Sequence, residues 1–256
     1  MTEYLKIAER KNLLPNFWMS EEYFQKAELQ EMSWEGWVWW EEDGWAVVPP
    51  ISLNHPLGEI PSYFSLPIWS DFPEFKPHFL FSEFLDYEYI YDPKHFENME
   101  GGKWKIFRKN SRKWPRENPG STYIFMKNKS PFQQREINKV GIQWLQQSQE
   151  DIQDGEVLLK YIWEGKNQKG LYVKDQLVGV NIWDENYYYI NFRFCICNPE
   201  PFLSEYMRFL FYSDIAHKNK LVNDGGVLDK ESLKKFKDKL NPISIRKVKS
   251  WKREES

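Results

Sequence analysis

The order of apolar and polar positions predicts a chain that mixes helices with strands. Residues 3–14 and 20–32 carry helical spacing on either side of Pro15, and Ser20 is a suitable N-cap for the second helix. Apolar runs at 36–40 and 45–48 flank a Glu-Glu-Asp-Gly turn. Because glycine supplies the positive φ that tight turns need, these two runs predict a β-hairpin.

A proline-rich stretch, residues 49–77, separates this hairpin from the next predicted strand at residues 87–91. Proline removes a backbone donor and fixes φ, so the stretch is expected to be irregular.

The second half of the chain alternates between helical and extended patterns. The predicted elements are a helix at 131–147, strands at 158–163, 170–174, 177–183 and 187–197, a helix from about 203, a strand at 220–223, a lysine-rich helix capped by Asp229, and a last strand at 243–248. The four consecutive strands between residues 158 and 197 predict an antiparallel meander between helices.

Composition narrows the class of protein. Aromatic residues make up 18% of the 256 residues, and 13 are tryptophan, which excludes a disordered chain. No window approaches the ~20 apolar residues of a membrane span, so we expect a cytoplasmic protein. Two cysteines and four scattered histidines offer neither a disulfide framework nor a metal-ligand spacing, so no metal site is predicted.

The net charge of −3 conceals a strongly basic segment, residues 101–118. Six cations fall along one side of a predicted helix that ends at Pro115: Lys105, Arg108, Lys109, Arg112, Lys113 and Arg116. Aromatic residues line another side and anchor the helix: Trp104, Phe107 and Trp114. Like charges one turn apart destabilise a helix unless an anion is near, which predicts a polyanionic partner. The alternative is a solvated face paired with acidic neighbours elsewhere.

Two local runs carry a family resemblance: EYIYDPKHFENMEGGKWKIFRKNSRKWPREN at 88–118 and LVNDGGVLDKESLKKFKDKLNP at 221–242. With the element order of residues 131–248, they resemble the C-terminal domain of bacterial phosphatidylglycerol lysyltransferases. That family is similar to Gcn5-related N-acetyltransferases (GNAT) and to the Fem-type aminoacyl-tRNA-dependent ligases. The resemblance implies an α/β (α+β) fold of tandem GNAT-like domains, residues 1–129 and 130–256, with mixed, mostly antiparallel sheets flanked by helices.

The resemblance also implies a reaction: transfer of an aminoacyl or acyl group from aminoacyl-tRNA or acyl-coenzyme A to an amine or hydroxyl, with no tightly bound cofactor. Residues that match the family's motifs become candidate substrate-binding residues: Tyr89, Tyr91, Arg108, Lys109, Asn110 and, by position, Lys105, Arg112 and Lys234. The family's Asn-Asp-Gly turn is Asn223 to Gly225 here.

Three residues are candidates for catalysis: Glu88, Asn223 and Asp224. Asp224 follows a strand, where α/β sheets present ligand groups, and is a possible base for the attacking amine. The alternative is an Asx-turn that merely closes the loop, and it is slightly favoured because Asn-Asp-Gly sequences form turns. Glu88 lies in an aromatic strand where desolvation raises a carboxyl pKa, although an ion pair with the basic helix is the alternative.

The sequence lacks the usual binding site for the pyrophosphate of coenzyme A. Acetyltransferases of this fold hold its pyrophosphate on glycine-rich backbone before the helix that follows the fourth strand, and that place reads Asn198-Pro199-Glu200-Pro201-Phe202 here. A donor held elsewhere, such as aminoacyl-tRNA, or no donor at all, fits this departure. We therefore expect a transferase with a polyanionic partner, tRNA, DNA or coenzyme A; a non-catalytic nucleic-acid-binding module is the rival. The oligomeric state stays open.

Overall fold

A computed structural model of the chain describes residues 1–57, 59–60, 64, 68–70, 81–127, 129–148, 152–227 and 230–252. Its strands form one 11-stranded sheet. In chain order they are β1 (Gln30–Trp34), β2 (Trp37–Glu42), β3 (Trp45–Ala46), β4 (Ile68–Ser70), β5 (Phe81–Tyr91), β6 (Thr122–Phe125), β7 (Asn167–Val173), β8 (Gln176–Glu185), β9 (Tyr189–Cys197), β10 (Leu221–Asn223) and β11 (Ser244–Lys252).

The helices flank this sheet. They are α1 (Glu3–Arg10), α2 (Glu21–Lys26), α3 (His95–Asn98), α4 (Lys105–Glu117), α5 (Pro131–Ser148), α6 (Ile152–Glu164), α7 (Leu203–Ile215) and α8 (Glu231–Asp238), with short 3-10 turns at Gly102–Trp104 and Ala216–Lys218. Ser20 caps α2 as predicted, because its Oγ accepts from Tyr23 N–H at 3.0 Å.

The strand order is β1-β2-β3-β4-β11-β5-β10-β9-β8-β7-β6. Most neighbours are antiparallel, whereas β10 runs parallel to β9 and β3 parallel to β4. The last strand, β11, lies between β4 and β5, and β5 also pairs with β10 at the centre of the sheet. Strand β5 therefore joins the strands on its two sides into one continuous sheet.

The two faces of the sheet carry different helices. On one face the aromatic rings of Trp183 and Phe192 pack on Phe211 of α7. On the other face Ile182, the neighbour of Trp183, shares a core with Leu158 of α6. Successive side chains of a strand alternate between faces, so α7 and α6 lie on opposite sides. We call them the α7 face and the α6 face.

Several predicted elements need correction. Residues 158–163 belong to helix α6 and not to a strand; Leu158, Tyr161 and Ile162 are all buried, a spacing of three and four that a helix satisfies. The place of that strand in the meander is taken by β6, which pairs antiparallel with β7. The basic helix does not end at Pro115, because α4 runs through to Glu117.

The N-terminal half also departs from prediction at its edges. Helix α1 ends at Arg10, and residues 30–34 form strand β1, which pairs with β2 in a hairpin that was not predicted. The predicted hairpin of β2 and β3 is confirmed through Glu41 and Ala46. Asp229, the predicted cap of α8, lies outside the described residues.

The predicted class is confirmed: a mixed α/β chain with a mostly antiparallel sheet, flanking helices and a two-domain-like layout. The boundary between residues 129 and 130 stays a prediction. No helix in the part of the chain that the structure describes is both long and apolar enough to cross a membrane. The cytoplasmic location also stays a prediction.

Candidate functional site

Glu88 is a buried carboxyl at the centre of the sheet. Its neighbour Tyr89 packs in the core of the α7 face, so alternation along β5 turns Glu88 to the α6 face. Glu88 Oε1 accepts from Phe17 N–H at 2.8 Å, and Oε2 accepts from Asn223 Nδ2 at 2.7 Å. Burial raises the pKa of Glu88 to about 7, although both hydrogen bonds and the charge of Arg193 act to lower it. A carboxyl that titrates near neutrality is suited to accept and return a proton.

Asn223 belongs to the same site as Glu88. Its Nδ2 fixes one carboxyl oxygen of Glu88, and its Oδ1 accepts from Gly225 N–H at 3.0 Å. The second bond closes an Asx-turn, in which glycine takes a φ of +64°. The structure thus brings Asn223 and Glu88 together, and the turn orients the amide toward the carboxyl.

Asp224 has very different surroundings on the α7 face. Its carboxylate pairs with Arg208 of α7 and accepts from Tyr212 Oη at 2.7 Å, and Lys237 Nζ lies 3.4 Å away. Burial alone raises the pKa of Asp224, but Arg208, Lys237 and Tyr212 outweigh burial and hold this pKa below its usual value. The Asp224 carboxylate is therefore charged, and its oxygens already contact Arg208, Tyr212 and Lys237.

The loop around Asp224 is also held through its backbone. Lys237 Nζ donates to the carbonyls of Asp224, Gly225 and Gly226, the last at 2.6 Å. These contacts favour the structural alternative for Asp224, a residue that fixes the turn after β10. Its assignment as a base stays a prediction.

Three charged residues around Glu88 escaped the sequence analysis: Arg246, Arg193 and Asp184. Arg246 Nη1 lies 4.0 Å from Glu88 Oε2 and donates to Pro15 O at 3.2 Å. Burial lowers the pKa of Arg246 to about 10, so the guanidinium is cationic at neutral pH.

Arg193 and Asp184 form a buried ion pair on the α6 face, with Nε and Oδ2 2.7 Å apart. Tyr161 Oη and Asn191 Nδ2 also donate to Asp184. A signal for this pair was present in the sequence, because a charged residue inside an aromatic strand such as β9 must be paired or functional.

The basic helix α4 lies on the α7 face of the molecule, packed through Trp114, whose ring stacks on Tyr206 of α7 with centroids 5.3 Å apart. Lys105, Lys109 and Arg112 are exposed, and Arg108 is half-buried and donates to Met99 O. Within the described ranges, no acidic side chain pairs with any of the six cations of α4. The alternative of a face paired with acidic neighbours therefore finds no support there.

The remaining candidate residues are dispersed. Asn110 donates to Glu205 of α7 at 3.1 Å, and Lys234 pairs with Asp238 within α8 at 2.9 Å. Tyr89 and Tyr91 are core residues of the α7 face, and Tyr91 Oη donates to Lys237 O at 2.9 Å. The structure does not bring these side chains to the Glu88 site, and their substrate-binding roles stay predictions.

Carboxylates lie at the N-terminus of α7, the place where the sequence resemblance to GNAT proteins predicts coenzyme A. Glu200 Oε2 accepts from Trp114 Nε1 at 2.8 Å, and Glu205 lies in the first turn, where Lys239 Nζ approaches to 3.3 Å. Negative side chains at this end compete with a phosphate for the helix dipole. Among the residues that are described, no three His, Cys, Asp or Glu side chains come together as a metal site.

Solved structures of other proteins share this fold. A conserved protein of unknown function from Bacteroides thetaiotaomicron VPI-5482 matches with a TM-score of 0.79 and 14% identity, covering 97% of each chain. The C-terminal domain of a candidate lysylphosphatidylglycerol synthetase from Agrobacterium fabrum matches with a TM-score of 0.70 and 11% identity, covering 98% of this chain and 92% of that one. The chain shares its fold with that domain.

A partial match extends this likeness. L-PGS from Bacillus licheniformis gives a TM-score of 0.53 and 17% identity over 68% of this chain and 63% of that one. No protein-family model matches the chain, and no curated protein matches it. The resemblance predicted from the sequence is therefore confirmed as a likeness of fold, and at these identities the reaction must be argued from the site.

Proposed function

We propose that the chain is a transferase that moves an aminoacyl or acyl group from a phosphate-rich carrier to an amine or hydroxyl acceptor. The observation that carries this proposal is Glu88, a buried carboxyl with a pKa of about 7, held by Asn223 and close to the cationic Arg246. A base of that pKa deprotonates an attacking amine or hydroxyl at neutral pH. Asn223 holds the carboxyl in place.

Aminoacyl-tRNA is the carrier that the charges favour. The cations of α4 form an exposed row, with Lys105, Lys109 and Arg112 facing solvent, and such a row suits a long phosphate backbone. The α7 N-terminus carries Glu200 and Glu205, which opposes the pyrophosphate of coenzyme A. The name of the Agrobacterium fabrum neighbour, a lysylphosphatidylglycerol synthetase, supports an aminoacyl group. The acceptor class is an amine or hydroxyl.

Turnover tests the proposal directly. The purified chain is incubated with tRNA charged with a labelled amino-acid mixture, or with labelled acyl-coenzyme A, and with amine and hydroxyl acceptors that include peptides and anionic lipid vesicles. We expect labelled product from the charged tRNA and a large loss of product with Glu88→Gln. Absence of product from both donors contradicts a transferase.

A second candidate function rests on the same row of cations. None of them is neutralised by an acidic side chain among the described residues, so the row also suits a nucleic-acid-binding module without catalysis. Binding of tRNA or DNA with a steep salt dependence, together with no transfer from any donor, is the outcome that selects this alternative.

A further inference from the structure

A strap formed by residues 13–20, between α1 and α2, crosses the sheet over Glu88. Its backbone is bound by side chains from beneath. Tyr187 Oη donates to Leu13 O at 2.6 Å, Arg246 Nη1 donates to Pro15 O at 3.2 Å, and Phe17 N–H donates to Glu88 Oε1 at 2.8 Å. The strap is therefore attached through its peptide groups to the polar residues of the site.

The Phe17 ring packs between Arg193 and the turn after β10. The guanidinium of Arg193 lies 4.2 Å from the ring centroid, and a Cβ added to Gly225 would come within 3.0 Å of the ring. Buried polar atoms here that have no hydrogen-bond partner among the described residues include Asn16 Nδ2, Arg193 Nη1 and Asn191 Oδ1. The site thus retains unused donors and an unused acceptor.

The two peptide groups that the strap presents match the two groups that react in acyl transfer. A peptide N–H points at the carboxyl that serves as base, and a peptide C=O accepts from a guanidinium 4.0 Å from that carboxyl. We propose that the strap occupies the reactants' places: Phe17 N–H marks the position of the attacking amine or hydroxyl, and Pro15 O marks the acyl carbonyl, so that Arg246 stabilises the oxyanion. This inference rests on the proposed function and assigns Arg246 a catalytic role.

The resulting step is balanced. The acceptor nitrogen or oxygen attacks the acyl carbonyl carbon, its proton passes to Glu88, and the carbonyl electrons collect on the oxygen held by Arg246. The intermediate of an aminoacyl-tRNA ester then collapses, the bond from carbon to the carrier oxygen breaks, and Glu88 returns the proton to that oxygen, which becomes the carrier's hydroxyl. The products are the acylated acceptor and the uncharged carrier. Because the strap fills both positions, it must leave before the reactants enter.

Arg246 is tested with a probe reaction. Hydroxylamine serves as the acceptor and tRNA charged with a labelled amino-acid mixture as the donor, and hydroxamate formed above the uncatalysed rate is measured. We expect Arg246→Met to lower kcat at least ~100-fold with little change in KM, the scale of losing one oxyanion donor. Added methylguanidine should restore part of kcat, which a merely structural role does not predict. Lys247→Met, an exposed neighbour on β11, is the charge-matched control.

Displacement of the strap has its own readout. Hydrogen exchange of a peptide spanning residues 13–20 should become at least ~10-fold faster when the wild-type chain is saturated with the charged tRNA, since Phe17 N–H loses its acceptor. Unchanged or slower exchange contradicts displacement. If Arg246→Met and Lys247→Met retain equal activity while the wild type turns over, this inference alone fails. If the wild type yields no product from charged tRNA or acyl-coenzyme A, the proposed function fails as well.

Discussion

Two buried carboxyls, Glu88 and Asp224, lie at neighbouring points of the central sheet on its opposite faces. Their side chains are equally shielded, with Glu88 1% and Asp224 4% exposed. Asp224 on the α7 face is in contact with two cations, Arg208 and Lys237. Glu88 on the α6 face accepts from two neutral N–H donors, and the cation Arg246 lies 4.0 Å away. The pKa of Asp224 is lowered and that of Glu88 is raised.

Burial by itself therefore does not make a carboxyl a base. Counter-charge decides whether a buried carboxyl is a permanent anion that holds a fold or a group that titrates near neutrality. In the proposed function the α7 face supplies rigidity and the basic helix α4 that would bind the carrier, and the α6 face would supply the base.

Asp224→Asn should lower the free energy of unfolding by about 3–5 kcal/mol, because Arg208 and Lys237 would be left as uncompensated buried charges. For a chain of this size the melting temperature should fall by roughly 10 °C. Thermal denaturation measures the shift. An unchanged melting temperature with a ~100-fold loss of turnover would return Asp224 to the role of base.

The pH dependence of stability should report on Glu88. Its pKa rises from 4.5 to about 7 on folding, so the folded chain holds a proton that the unfolded chain has lost between those values. Stability should therefore fall as pH increases from 5 to 8, by up to about 3 kcal/mol. Other charged groups near Glu88 are Arg246, Arg193 and Asp86. The raised pKa of Glu88 already includes the effects of Arg193 and Asp86.

Denaturant unfolding at pH 5 and pH 8 measures this effect, and Glu88→Gln serves as the matched variant. An uncharged amide removes the titration, so the variant should be nearly as stable at pH 8 as at pH 5. Parallel pH profiles for the wild type and the variant would show that Glu88 does not carry the dependence.

Glu88→Gln should lower kcat at least ~100-fold, the scale that a general base contributes, when measured on variant protein that is folded at neutral pH. In the wild type, kcat should rise with pH through about 7 as the carboxylate forms. Glu83→Gln is a control on the same strand, because Glu83 is exposed and pairs with Lys252 near the surface. Equal kcat values for Glu88→Gln and Glu83→Gln would show that Glu88 is not the general base.

Binding of the carrier should depend on the exposed cations of α4. Changing Lys109 and Arg112 of α4 together to Gln should reduce the slope of log affinity for tRNA against log salt by roughly 1.5, while kcat at saturation is retained. Both residues are exposed and glutamine is a good helix former, so the fold should persist. Lys6 and Arg10 of α1, changed in the same way, control for the loss of two positive charges. A slope that falls equally in both double variants would mean that α4 is ordinary surface.

Much of the architecture followed from hydrophobic spacing. Helices α5 and α7 and strands β8 and β9 were predicted to within a few residues because each has a long apolar face. The start of β11 was also predicted, although most residues of that strand are exposed. Helix α6 was assigned as a strand because its aromatic and β-branched residues suit both structures, and only the packing of Leu158 and Tyr161 decides between them. Strand β6 is a short edge strand defined by its distant partner β7, so it left little local signal.

The site was predictable in part for a similar reason. Glu88 stood out as a charge in an aromatic strand, and Asn223 was found through its turn. Arg246 was not found, because its contact with Pro15 spans 231 positions of the chain and no local pattern encodes it. Phe17 was missed likewise, since its role depends on a backbone N–H that every residue except proline possesses.

The position of β11 between β4 and β5 has a consequence for how the chain acquires its structure. Strands β4 and β5 are synthesised before residues 244–252, and their facing edges can be paired only when β11 is present, because no other described strand separates them. Such non-local pairing slows folding and prolongs the exposure of unpaired strand edges. During synthesis on the ribosome, the edges of β4 and β5 that pair with β11 should therefore stay unpaired until β11 has emerged.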